Sequence, residues 1–99
     1  MDDYTQQQIR DLQREIENLE DSKHRKNREL SSLEDRLEKI EWKIRRHEPD
    51  PDNFYDWKLN SLESDKDSIE SDISWLGREI SDIDWEIERK KDEIWQLEL

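Results

Sequence analysis

The sequence contains no cysteine, one glycine, two prolines and no long apolar run. A chain without cysteine has no disulfide framework, which fits a reducing compartment, so we expect a cytoplasmic protein. A membrane-spanning helix needs roughly 18 consecutive apolar residues, and no segment approaches that length. The N-terminal residues also lack the basic and then apolar pattern of a signal peptide. We therefore expect a soluble, intracellular protein that does not bind membranes.

Apolar residues are scarce overall: 29% of the 99 residues are hydrophobic, 46% are charged, and the net charge is −12. Such a composition is typical of disordered chains. In this sequence, however, the apolar residues recur at alternating intervals of three and four, as they do along the seam of a coiled coil. A two-helix seam requires only about two apolar positions in every seven. The pattern therefore predicts one all-α domain over residues 1–99.

Both prolines lie near the middle of the chain, between two stretches with the helical repeat. A helix tends to end before a proline, whereas proline is favourable at the first position of a new helix. We therefore predict that Asp50 is the N-cap of the second helix and Pro51 its first residue. At the N-terminus, Thr5 and Gln8 have the spacing of a capping box. The predicted elements are helix one over about 5–47, a turn over about 48–51 and helix two over about 51–98.

The repeat assigns the residues of the helix seam. In helix one, the inward positions are Ile9, Leu12, Ile16, Leu19, Lys23, Lys26, Leu30, Leu33, Leu37, Ile40, Ile44 and His47. In helix two, they are Tyr55, Leu59, Leu62, Lys66, Ile69, Ile73, Leu76, Ile80, Ile83, Ile87, Lys90, Ile94 and Leu97. Helix two also carries Gly77, which is either simply tolerated or required by close packing of the Trp75 indole or of a partner.

An antiparallel arrangement matches the two seams to each other. If the turn lies at 48–51, facing residues have numbers that sum to about 99. Every seam lysine then faces an apolar residue: Lys23 faces Leu76, Lys26 faces Ile73, Lys66 faces Leu33 and Lys90 faces Ile9. We therefore predict an antiparallel two-helix coiled-coil hairpin. Exchange of helices between chains, or dimerisation of hairpins into a four-helix bundle, would keep the same contacts, so the oligomeric state stays open.

Carboxylates line one flank of the predicted seam and would repel one another. This acidic flank consists of Glu20, Glu34, Glu41, Asp56, Glu63, Glu70 and Asp84. Two explanations remain open: the seam lysines reach sideways and neutralise it, or it is an acidic groove for a basic partner. On the other flank, Lys43 and Lys58 are expected to lie close together and repel each other.

Charge and tryptophan are both concentrated in the second half of the chain. Residues 1–47 have a net charge of −1 and residues 48–99 a net charge of −11. The tryptophans fall outside the seam, and exposed aromatic residues are enriched where partners bind. We expect a non-enzymatic coiled-coil interaction protein that docks a protein partner, such as a basic one, or a second copy. The candidate contact residues are Trp75, Trp85, Trp95, Asp72, Asp82 and Asp84, with Trp42 and Trp57 as secondary candidates.

A different class of function is also compatible with the acidity. Closely spaced carboxylates on a rod can imitate a phosphate backbone and block the basic groove of a DNA- or RNA-binding protein, as small acidic proteins of phages and mobile elements do. A basic cluster, Lys23 to Arg28, offers a nucleic-acid patch, but the field of an acidic chain opposes direct binding. Adaptation to high salt would also produce an acidic composition.

Catalytic or metal-binding patterns are missing from the sequence. His24 and His47 lie far apart and have no cysteine near them, so we expect no metal site. Neither a glycine-rich phosphate loop nor a nucleophile elbow occurs. A narrow two-helix structure has no deep pocket in which carboxylate pKa values would shift. We therefore expect no enzymatic activity and no cofactor.

Overall fold

The computed structural model describes residues 2–49 and 56–99. They form two helices, α1 over Asp3–Arg46 and α2 over Trp57–Glu98. Ion pairs between the helices join Lys26 to Glu79, Lys23 to Asp84 and Glu15 to Lys90. In these pairs, a lower residue number in α1 goes with a higher residue number in α2, so the helices pack antiparallel. The predicted fold class, an all-α antiparallel helical hairpin, is confirmed.

Helix α1 begins one turn earlier than the capping box predicts. The backbone N–H of Thr5 donates to Oδ1 of Asp2 at 2.6 Å, and the N–H of Gln6 donates to the Asp2 carbonyl at 3.1 Å. Asp2 is therefore the N-cap, and the capping box predicted for Thr5 and Gln8 is wrong. Aspartate is as good an N-cap as serine or threonine, and starting there adds helical hydrogen bonds. Hydrogen bonds from the backbone and side chain of Thr5 hold the pKa of Asp2 below its ordinary value.

Helix α2 is capped in the same way. Asp56 accepts a hydrogen bond from the Leu59 N–H at Oδ1, at 3.0 Å, and its carbonyl accepts one from the Asn60 N–H at 3.0 Å. The helix accordingly starts at Trp57. The N-cap predicted at Asp50, the helix start at Pro51 and the seam position Tyr55 all fall outside the residues that the structure describes.

The predicted seam is confirmed at every position that the structure describes. All of these side chains are buried or half-buried, whereas the positions between them are mostly exposed. The buried residues among them are Ile9, Leu33, Ile69, Leu76 and Ile87. The four seam lysines are half-buried because their aliphatic stems lie against the seam while the ammonium groups reach its edge. Periodicity alone therefore identifies the inner face of both helices.

The chain divides into two compact units, each containing a segment of both helices. We call Glu29–Gly77 the central unit, and residues 2–28 with Arg78–Leu99 the terminal unit. In the central unit, Leu33, Ile69 and Leu76 form a continuous buried cluster. Leu30, Leu37, Ile40 and Ile73 pack against it. The terminal unit has two buried residues, Ile9 and Ile87, together with the three ion pairs between the helices.

The predicted register is wrong for the seam lysines. Lys26 was expected opposite Ile73, but it pairs with Glu79, six residues further along α2. Lys23 pairs with Asp84 rather than facing Leu76. Side chains of an α-helix lean toward its N-terminus, so in an antiparallel pair they lean in opposite directions. Touching side chains therefore lie further along the partner helix than a rule based on backbone level predicts.

Gly77 has a simple explanation in the structure. A Cβ atom added there would meet no described atom within 4 Å. The interpretation that Trp75 packs closely against the glycine is therefore wrong, and Gly77 is tolerated rather than required by contacts within the described chain.

In the two described segments, neither helix is apolar enough along its length to cross a membrane.

Candidate protein-binding surfaces

The largest apolar side chains of the protein lie on its outside. In α2 of the terminal unit, Trp85 and Trp95 are each 63% exposed. In the central unit, Trp75 is 61%, Trp57 72% and Trp42 50% exposed. Isoleucine and leucine occupy most seam positions, and the five indoles lie on helix positions outside the seam. Exposed tryptophans on a helical hairpin suggest a binding surface for a partner or a second copy.

Two arginines lie over exposed indoles. The Arg89 guanidinium is 5.1 Å from the centroid of the Trp85 ring, and that of Arg46 is 5.1 Å from the centroid of Trp42. Each arginine follows its tryptophan by four residues, which places both side chains on one face of the helix. Stacking limits the motion of the indole and leaves the edge of the guanidinium able to bind a carboxylate. Our sequence reasoning overlooked both arginines, although the spacing of four residues would have revealed them.

The predicted contact carboxylates differ in their surroundings. Asp72 in the central unit and Asp82 in the terminal unit are exposed and form no ion pair with any residue of 2–49 or 56–99. Asp84, in contrast, lies 2.6 Å from the ammonium group of Lys23. This seam lysine neutralises Asp84, which is therefore the weakest of the three candidates for binding a cation on a partner.

The acidic flank is partly neutralised from within the chain. Lys23 pairs with Asp84, and Lys66 lies 3.7 Å from Glu70 on the same helix. Asp56 is bound by His47. The structure thus supports the explanation that seam lysines reach sideways to this flank. Glu20, Glu34, Glu41 and Glu63 form no ion pair within the described segments.

The basic cluster from Lys23 to Arg28 is smaller than its sequence indicates. Lys23 and Lys26 are both turned into the hairpin, where they pair with Asp84 and Glu79. The exposed members are His24, Arg25, Asn27 and Arg28. A nucleic-acid surface benefits from every cation that can reach a phosphate, so two fewer cations weaken the case for such a surface.

A groove in the central unit is lined by charged side chains that are mainly positive. It is lined by Trp42, Lys43, Arg46, His47, Glu48, Lys58 and Leu62. Lys43 and Lys58 line the same groove, as expected from their positions on the second flank, and neither forms an ion pair with a described residue. We call these seven residues the cationic groove. It combines several cations with the exposed edge of an indole and the side of a leucine.

One wall of the groove is held by a contact between the helix ends. Nε2 of His47 lies 2.5 Å from Oδ2 of Asp56, and the other carboxylate oxygen of Asp56 caps α2. Asp56 accepts one hydrogen bond from His47 and another from the backbone N–H of Leu59. These two hydrogen bonds hold the pKa of Asp56 below its ordinary value. His47 follows the last residue of α1. The pair joins the C-terminus of α1 to the N-terminus of α2.

In the described segments, no three His, Cys, Asp or Glu side chains come close enough together to hold a metal ion. His24 and His47 lie in different units. Comparisons with protein-family models, with curated proteins and with solved structures find no match to this chain.

Proposed function

We propose that this protein is a non-enzymatic interaction protein that docks another protein, or a second copy of itself, through the indoles of α2. One observation carries the proposal: Trp75, Trp85 and Trp95 are each more than 60% exposed, while smaller isoleucines and leucines fill the seam. We call the three tryptophans, with Asp72 and Asp82, the α2 contact residues.

The energetics of binding support this assignment. An indole that is buried at an interface removes a large apolar area from water, and tryptophan is among the residues that most often dominate binding energy. The α2 indoles are attached to a long helix, so little backbone freedom is lost when a partner binds. Arg89 stacked on Trp85 lowers the remaining side-chain freedom at that position. Docking therefore requires little reorganisation of this chain.

Substitution of the three tryptophans tests the proposal. We expect Trp75→Ser, Trp85→Ser and Trp95→Ser together to leave the helical content unchanged and to alter the free energy of unfolding by no more than about 1–2 kcal/mol, since exposed side chains contribute little. The same variant should lose self-association in sedimentation velocity or lose the proteins that the wild type captures. Tyr4→Ser, which also removes an exposed aromatic side chain, is the matched control.

Two results would contradict the proposal. Unfolding of the triple variant would mean that the indoles stabilise the hairpin, and unchanged association or capture would mean that another surface binds. Measuring Trp85→Ser and Trp95→Ser separately from Trp75→Ser shows which compact unit contributes the contact, because the first two belong to the terminal unit and the third to the central unit.

The unpaired carboxylates of α2 favour a second candidate function, inhibition by imitation of a nucleic acid. Asp65, Asp67, Asp72 and Asp82 are exposed and have no ion pair among the described residues. Such binding should weaken steeply with added salt, because it depends on several charges together. It should also be abolished by excess duplex DNA. A complex that resists salt and depends on tryptophan would support the first function instead.

A further inference from the structure

The cationic groove has charges that nothing in the described chain balances. Lys43, Arg46 and Lys58 form no ion pair with the residues of 2–49 or 56–99. Glu48 is the one carboxylate among the described residues that line the groove. Like charges that share a groove repel each other, and bound carboxylates would remove that repulsion. In a chain with a net charge of −12, such a cluster is a local exception.

The side chains that line the cationic groove also define which chemical groups can bind there. Trp42 and Leu62 provide apolar contact, while Arg46, stacked on Trp42 at 5.1 Å, keeps the edge of its guanidinium available for a carboxylate. The groove therefore suits carboxylates placed next to a large apolar side chain. A long nucleic acid suits it poorly, because residues 48–99 carry a net charge of −11 and would repel the remaining phosphates.

The chain itself displays a segment of this kind. On α2 of the terminal unit, Asp82 and Glu86 are exposed, form no ion pair with described residues, and lie one helical turn apart. Trp85 stands between them with its indole 63% exposed. Carboxylates and indole are thus presented together, and each molecule carries both this acidic segment and the groove.

We propose that the cationic groove of one molecule binds the acidic segment around Trp85 of a second copy. The proposal rests on the proposed function, since it identifies a second copy as the partner of Trp85. Lys43 and Lys58 would face Asp82 and Glu86, and the indole of Trp85 would contact Trp42 and Leu62. At physiological salt, charges more than about 8 Å apart are largely screened, which reduces the general repulsion between two acidic molecules. Ion pairs in direct contact at the interface are screened much less.

Charge reversal on each surface tests the proposal in the full-length chain. We expect Lys43→Glu with Lys58→Glu, and separately Asp82→Lys with Glu86→Lys, to weaken self-association by about tenfold or more in sedimentation velocity. A mixture of the two variants should associate again, because the unchanged groove of one variant can bind the unchanged acidic segment of the other, and the two reversed surfaces also attract each other. Restoration in the mixture requires that the two surfaces touch, so general electrostatic effects would not produce it.

Matched controls separate the contact from the change in net charge. Arg10→Glu with Arg14→Glu imitates the first variant, and Glu17→Lys with Asp21→Lys imitates the second; all four residues are exposed on α1 and have no ion pair in the described segments. Both controls should associate as the wild type does. Circular dichroism of every variant confirms that the hairpin is intact.

Several outcomes would overturn the inference. A wild type that stays monomeric at high concentration, variants that associate normally, or a mixture that stays dissociated would each do so. The proposed function can fail separately: if the wild type is monomeric yet captures a foreign protein that the tryptophan variant loses, the groove inference falls and the proposed function stands. If the wild type associates through the groove but Trp85→Ser has no effect, the indole has no part in binding.

Discussion

The central and terminal units are built from the same two helices but are held together differently. In the central unit, Leu33, Ile69 and Leu76 form one buried cluster with four half-buried neighbours. In the terminal unit, Ile9 and Ile87 are buried, and lysines at the seam pair with carboxylates of the opposite helix. Apolar burial contributes about 25 cal/mol per Å², whereas exposed ion pairs contribute on the order of 0–1 kcal/mol.

This difference suggests a division of roles between the two units. The central unit, with its apolar cluster, should contribute most of the stability. In the terminal unit, lysines at seam positions give up apolar burial, but each pairs with a particular carboxylate and thereby favours one register over others. The experiments begin with the largest expected effect, and the first two compare the two units directly.

Truncation of a buried isoleucine in each unit compares the two directly. Ile69→Ala should reduce the free energy of unfolding by about 3–4 kcal/mol, and Ile87→Ala by about 2 kcal/mol, because Ile69 belongs to the buried apolar cluster and Ile87 lies outside it. Urea denaturation followed by far-UV circular dichroism measures both. Ser71→Ala, on the exposed face of α2, is a control that should be nearly neutral. An equal or larger effect at Ile87 would contradict the assignment of stability to the central unit.

Replacement of the seam lysines by leucine should increase the contribution of the terminal unit to the free energy of unfolding and bring it closer to that of the central unit. Lys23→Leu with Lys26→Leu removes two ion pairs and buries two leucines, so we expect a gain of about 1–2 kcal/mol in the free energy of unfolding. Asp84 and Glu79 remain accessible to water, which limits the penalty of leaving them unpaired. Lys91→Leu, at an exposed position, should give no such gain. A loss of stability would show that the ion pairs outweigh apolar burial here.

Gly77→Ala tests intrinsic helix propensity without a change in packing. An added methyl group meets no described atom within 4 Å, so the substitution should raise the free energy of unfolding by about 1 kcal/mol. Thermal unfolding of wild type and variant provides the measurement. A destabilised variant would mean that the glycine makes a close contact after all, and reduced self-association without a change in stability would locate that contact on a second copy.

Asp56→Asn should have the smallest effect, visible mainly in its pH dependence. Asparagine caps a helix as well as aspartate does, so the variant loses the charge that pairs with His47 but keeps the cap. The pKa of Asp56 is lowered in the folded state, so its contribution is complete above the ordinary value of 3.8 and is lost as the pH falls through the lower folded value. The difference in melting temperature between wild type and variant should therefore disappear in acid.

Asp2→Asn is the matched control for that experiment. Asp2 also caps a helix and has a lowered pKa, but among the described residues its carboxylate has no histidine partner. Its difference from wild type should be smaller at neutral pH. If Asp2→Asn lost as much as Asp56→Asn, the contact between His47 and Asp56 would add nothing to the cap.

Much of the fold could be predicted because helix periodicity is a local property. The seam residues, the two helices and their exposed tryptophans all follow from apolar spacing of three and four. The N-cap at Asp2 was missed because Thr5 and Asp2 are both good caps, and their relative merit depends on the whole first turn. The arginines over Trp42 and Trp85 could have been found from their spacing.

Sequence spacing predicted that Lys43 and Lys58 lie close together, but it did not identify the carboxylates that the seam lysines bind. A lysine side chain is long and flexible, and several carboxylates lie within its reach, so sequence spacing does not choose among them. Lys26 could have paired along α1 or across to α2, and it pairs with Glu79. The candidate carboxylate Asp84 was expected to face a partner, yet it is bound by Lys23.

The sequence by itself determined that two amphipathic helices form and which of their faces turns inward, because hydrophobic spacing imposes the same geometry on every α-helix. The tertiary structure decided where the helices begin, how far one is displaced along the other, and which charges meet. Those outcomes depend on chain connection and on side chains leaning in opposite directions across the seam. They also set which other side chains, Trp42 among them, line the groove that Lys43 of α1 shares with Lys58 of α2.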